Sequence, residues 1–143
     1  MPDILHDFPI GAPIERVFEA ISTPEGLDRW WTMHSSGIPR VGAQYELGFG
    51  PEYQWRAVVS KYAPPVELEY QIVRADGDWL GTRVRFVLRD GGGATQVRFS
   101  HTGWPDAGDH YRTSCYCWAM YLRILRRFLE NGEAVPYERR LEV

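Results

Sequence analysis

Residues 109–131 read DHYRTSCYCWAMYLRILRRFLEN, and this stretch decides the fold. Tyr111, Trp118, Leu122, Leu125 and Leu129 recur at helical spacing and form one apolar stripe, while Arg112, Arg123, Arg126 and Arg127 lie mostly off it. Asp106, with Asp109 three residues later, reads as a capping pair at the start, and Gly132 as the stop. At about 1.5 Å of rise per residue the helix reaches roughly 30 Å, the width of a small domain. An element that long with one buried face needs a broad partner. The partner lies upstream, in a nearly unbroken series of strand-like segments.

Ile4, His6, Phe8 and Ile10 alternate with Leu5, Asp7 and Pro9, the period of a strand with one face turned inward. Pro13 and Glu15 then open a short helix carrying Ile14, Val17, Phe18 and Ile21. Thr23-Pro24-Glu25 repeats the start signal for a second helix through Leu27 to Trp30-Trp31. After a connection over residues 35–42 rich in Gly and Pro, strand-like runs return at residues 44–49, 53–61, 66–74, 82–89 and 94–102. The expectation is an α+β domain: a curved antiparallel sheet of six strands wrapped around the long C-terminal helix, with two short helices after the first strand. A two-residue Gly91-Gly92 loop would pair Phe86 with Val97 and set Arg85 opposite Arg98, a like-charge pair that Glu67 or Glu69 of the preceding strand should relieve. Residues 133–143 read either as an extra strand or as a loose C-terminal extension.

A chain of 143 residues suits one domain, residues 1–143, with a core of its own. The net charge of −3 and the lack of a Lys or Arg run argue against nucleic acid as a partner. No segment approaches the roughly 18 apolar residues of a bilayer span, and Met1-Pro2-Asp3-Ile4 does not begin a leader pattern, so the chain reads as cytoplasmic. Cys115 and Cys117 stand two apart on the helix, where they do not face each other, and read as packing residues. Six Trp and eight Tyr supply large rings whose N–H and O–H groups need partners when buried, a composition that also suits an apolar pocket with a few polar points.

The order strand, two helices, strands, long helix comes with a set of local motifs. These are Ala12-Pro13-Ile14-Glu15-Arg16-Val17-Phe18, Thr23-Pro24-Glu25-Gly26-Leu27-Asp28-Arg29-Trp30-Trp31, Val41-Gly42, Tyr62-Ala63-Pro64-Pro65, Ser100-His101-Thr102-Gly103-Trp104 and Trp118. Together they resemble the group related to the C-terminal domain of the Hsp90 ATPase activator, within the START, Bet v 1 and polyketide-cyclase superfamily. The resemblance implies the helix-grip fold and a deep cavity between sheet and helix, used across the superfamily for lipids, polyketides and other apolar or aromatic molecules. It implies no single activity and no cofactor.

On the inward faces, Trp55, Tyr70, Phe86, Phe99 and His101, with Trp118 and Tyr121 from the helix, are the expected ligand contacts. The leading expectation is a binder of a small hydrophobic or aromatic molecule. A rival is a cyclase-, dehydratase- or hydrolase-like enzyme in which His6 or His101, with Tyr53 or Tyr70, moves protons on the substrate. A third is a chaperone-associated interaction module. For both histidines the plainer alternative is a hydrogen-bonded core residue. His6, His34, His101 and His110 show no metal-ligand spacing, so no metal is expected. Pairing into a homodimer is expected by base rate alone.

Overall fold

The computed structural model describes residues 2–143. In chain order the elements are β1 (Ile4–Ile10), α1 (Ile14–Ser22), α2 (Pro24–Trp30), β2 (His34–Ser36), β3 (Gln44–Gly48), β4 (Gln54–Ala63), β5 (Glu67–Arg74), β6 (Arg83–Asp90), β7 (Thr95–Thr102) and α3 (Asp109–Asn131). Short 3₁₀ segments occupy Gly77–Trp79 and Tyr137–Glu142. One antiparallel sheet holds the strands in the order β1-β7-β6-β5-β4-β3-β2, and α3 lies on its inner side.

The sheet therefore has seven strands, one more than the sequence suggests. The added strand, β2, falls at the start of the stretch read as a connection. Three residues are too few to display a period of two. It is held in place by Ser35, whose hydroxyl donates to Asp28 Oδ1 at 2.8 Å, tying the edge of the sheet to α2.

In the last hairpin Phe86 faces Phe99 and Leu88 faces Val97, two residues along from the expected register. The turn is centred on Gly92 and Gly93, both at positive φ, and Gly91 N–H donates to Ala94 O at 2.8 Å. A shift of two leaves every side chain on its expected face. It also moves Arg85 away from Arg98 and opposite Ser100, while Glu67 and Glu69 take Arg85 and Arg83 as ion-pair partners.

Thr23 caps α2 as its sequence suggests, accepting from Gly26 N–H at 3.0 Å. The start of α3 differs. Gly108 holds the capping position without a side-chain bond, and Asp106 instead accepts the Gly108 N–H at 2.9 Å in the turn before the helix. Gly132 closes α3 in the left-handed conformation, φ 67°. Leu122, Leu125 and Leu129 are buried along the second half of α3, each contributing about 2 kcal/mol.

The end of α1 is buried, so its last carbonyls need donors. Three aromatic side chains supply them: Trp30 Nε1–H donates to Ala20 O at 2.9 Å, the Tyr70 hydroxyl to Ile21 O at 2.7 Å, and the Tyr45 hydroxyl to Ser22 O. Burial pushes the pKa of both phenols up. Tyr70, a candidate for proton transfer from its sequence position, is a helix-end donor here.

The C-terminal segment is neither an extra strand nor loose. Arg140, only 4% exposed, reaches beneath α2 and donates to Asp28 O at 2.9 Å, Thr32 O at 3.1 Å and Val135 O at 3.3 Å. Carbonyls at the end of a helix carry partial negative charge, so they suit a guanidinium. Its plane also lies over the Tyr137 ring, 5.2 Å from the centroid.

Candidate functional site

Under the middle of α3 the space between helix and sheet is filled. Trp118 projects from the helix onto Phe99 (centroids 4.5 Å), Trp31 (5.2 Å) and Trp79 (5.8 Å), and it is 1% exposed. Its indole N–H donates to His101 Nδ1 at 2.9 Å. His101 Nδ1 is thus the acceptor, which leaves Nε2 carrying the proton toward Thr82 Oγ1 at 2.7 Å; the Thr82 hydroxyl in turn donates to Trp79 O at 2.6 Å. Each donor in this chain has its acceptor. Burial, and then the proximity of His110, lower the His101 pKa to about 3, so the ring stays neutral.

Five of the expected ligand contacts, Tyr70, Phe86, Phe99, His101 and Trp118, therefore lie in a closed interior rather than along a deep cavity. The physical reason is side-chain volume: indoles at positions 31, 79 and 118 occupy what smaller residues would leave open. Nor do His6 and His101 converge on one void. His6 lies in a groove on the other flank of α3, its ring 6.1 Å from Phe99.

Space does open beside the first half of α3. A recess of about 340 Å³ is walled by α3 through Thr113, Ser114, Cys117 and Tyr121, by the start of β4 through Trp55, and by the 3₁₀ turn through Trp79. Trp31, Phe49 and Tyr53 complete the aromatic lining, and Tyr137 of the C-terminal segment forms a further wall. Asp76 and His110 supply the charged and titratable rim. Its volume falls within the roughly 300–1,000 Å³ of small-molecule sites.

Each wall is anchored. Trp79 Nε1–H donates to Ser114 Oγ at 3.0 Å, joining the 3₁₀ turn to α3. The Tyr137 hydroxyl donates to Phe49 O at 3.1 Å, and Arg140 holds the same segment from beneath. Burial, then neighbouring Tyr137, raise the pKa of Tyr121, which keeps that phenol protonated. The Trp55 N–H is the exception: it is buried without an acceptor.

Trp55 and Tyr121 are the two expected ligand contacts that the recess brings together. Tyr53, expected on an inward strand face, lies in the turn before β4 and is 47% exposed at the mouth. Trp79 and Tyr137 were not singled out from the sequence. Trp79 lies beside the turn signal Asp76-Gly77-Asp78, and Tyr137 in a charged tail. A large ring beside turn chemistry is the one signal by which Trp79 could have been found.

An open antiparallel sheet gripped by a long C-terminal helix, with a recess between them, defines a helix-grip protein of the START, Bet v 1 and polyketide-cyclase superfamily. Residues 11–130 match the family model described as activator of Hsp90 ATPase homolog 1-like protein, and the chain belongs to that family. The solution structure of the Aha1 dimer from Colwellia psychrerythraea is 30% identical with a TM-score of 0.84, over 94% of this chain and 100% of that one. Protein BH1534 from Bacillus halodurans is 26% identical with a TM-score of 0.76, over 91% and 98% of the two chains. CalU16 from Micromonospora echinospora, at 20% identity and a TM-score of 0.75 over 98% and 81%, shares the fold. No curated protein matches the chain.

Proposed function

We propose that residues 1–143 form a single ligand-binding domain that holds a small apolar or aromatic molecule in the recess between α3, β4 and the C-terminal segment. The observation that carries this reading is the wall itself: Trp31, Trp55 and Trp79 with Tyr53 and Tyr121 around about 340 Å³. Flat rings stack on such a surface. An enzymatic role loses its leading residues, because His101 is neutral and fully bonded and Tyr70 caps a helix. Asp76 and His110 at the rim keep proton transfer as the second reading.

The test is native mass spectrometry of the protein purified from its own host, read for a retained small molecule. It is followed by calorimetric titration with a panel of flat aromatic compounds. Binding that drops at least tenfold in Trp55→Ala, with the fold intact, supports the recess; a protein that ignores the whole panel and carries nothing overturns the reading. We further propose that the chain pairs with itself, on the strength of the Colwellia psychrerythraea dimer. Subunit number in the same spectra checks this, and a monomer at micromolar concentration refutes it.

A further inference from the structure

A groove of about 450 Å³ runs along the opposite flank of α3, between its second half and β1. Its floor is Phe8 and Leu122, and its upper wall is Arg123, Arg126 and Arg127. Two acids lie there. Glu130 Oε2 is engaged twice, by Gly11 N–H at 2.7 Å and Arg126 Nε at 3.0 Å, and Asp7 turns to Arg98 at 3.3 Å. Arg127 meets Glu133 only at 4.0 Å, and among the described residues Arg123 has no carboxylate within that distance. Two guanidiniums therefore border an apolar floor with little to neutralise them. His6 Nε2, on the same wall, is buried and without a partner.

The strand beneath is an edge. Among the described residues β1 pairs with β7 and with no other strand. Pro9 has no N–H, so no ladder bond is lost when its nitrogen faces the open side, and alternation then turns Leu5, Asp7 and Gly11 the same way. Gly11 bears this out, since its N–H leaves the sheet to meet Glu130. The Leu5 and Asp7 backbone groups stand along the rest of that edge, and Asp7 lines the groove with the arginines.

We propose that this groove takes an extended peptide segment with acidic side chains at alternate positions. It would add to β1 as a further strand and place its carboxylates on Arg123 and Arg127. The outward backbone groups of Leu5, Asp7 and Pro9, spaced along about 14 Å of strand, call for an extended chain, which a free anion cannot match. A second copy of β1 offers only Asp7, already drawn to Arg98, and leaves both guanidiniums unanswered.

The probe is a fluorescein-labelled seven-residue peptide alternating Glu and Thr, titrated into the full chain and read by anisotropy, with backbone amide shifts read by NMR. Expected are binding that weakens as salt rises, shifts at Leu5 and Asp7, and at least a tenfold loss in the Arg123→Ala/Arg127→Ala variant at an unchanged unfolding midpoint. The proposal is overturned if the peptide with Lys in place of Glu binds as well, if the variant binds like the parent, or if free glutamate displaces the peptide at equal carboxylate concentration. Protection of the Leu5 and Asp7 amides that rises with protein concentration alone would make the groove a contact between copies, and would equally overturn it. The recess is on another face, so none of these results bears on it.

Discussion

The two sides of Trp118 contrast. Toward the sheet, His101, Thr82 and Trp79 O form a chain in which every donor has its acceptor, and nothing there is free to meet a ligand. Toward the mouth, only a few ångströms away, Trp55 keeps an N–H without an acceptor and the walls stand apart around a recess. The same residue types build both regions. A buried aromatic is structural where its neighbours close over it and a ligand candidate where they stand apart, and residue identity alone does not distinguish the two.

The contrast can be broken most forcefully at Trp118. Trp118→Ala removes the ring that touches Trp31, Trp79 and Phe99 and leaves His101 Nδ1 without its donor, so denaturant unfolding should show a loss of about 3–5 kcal/mol. A loss below about 2 kcal/mol would mean that the interior is far less closed than its contacts indicate.

His101 comes next, through pH. Its folded pKa of about 3 lies below the unfolded value near 6.5, so the unfolded chain binds the extra proton between the two. The stability linked to this ring is full above about pH 6.5 and is lost as pH falls toward 3. Relative to His101→Gln, which does not titrate, the parent should lose about 1.4 kcal/mol per pH unit between pH 6 and 4, roughly 3 kcal/mol in all. Parallel pH profiles for the two proteins would contradict a neutral, buried ring.

Arg140→Met removes a buried charge bonded to three carbonyls and should cost about 2 kcal/mol. Because the same segment places Tyr137 in the recess wall, ligand affinity should fall with it; intact affinity in that variant would detach the C-terminal segment from the site. The smallest effect on stability belongs to Trp55→Phe, under about 1 kcal/mol, since its N–H has no acceptor to lose. Its signature is a loss of affinity for flat aromatic ligands smaller than that of Trp55→Ala, measured by calorimetry, since a ring remains to stack on; equal losses in the two variants would deny a stacking role.

Much of this fold could be read in the residues. The alternation of Ile4 to Ile10, the Thr23-Pro24 start and the 23-residue stripe from Asp109 to Asn131 express local periods that packing then respects. The register of the last hairpin could not, because Gly91-Gly92-Gly93 accommodates a two-residue turn in either of two places. Asp90 Oδ1, accepting from Gly92 N–H at 2.9 Å, favours the one observed. The site was legible in part. Trp55 follows from strand parity, and Tyr121 from its place beside the helix stripe, whereas which inward rings close on each other depends on volumes summed across several elements. Arg140 gave no signal, since a buried arginine in a polar tail is defined only by the carbonyls it meets.

The six tryptophans form one connected set. Trp30 lies 5.9 Å from Trp31, Trp31 5.2 Å from Trp118, and Trp118 5.8 Å from Trp79, which in turn stands 5.0 Å from Trp55 and 6.1 Å from Trp104. At such separations excitation absorbed by any indole migrates among all of them before it is emitted. The intrinsic fluorescence of this chain is therefore a single collective signal, and three of its members, Trp31, Trp55 and Trp79, face the recess. One light-absorbing molecule bound there would dim the emission of the whole protein.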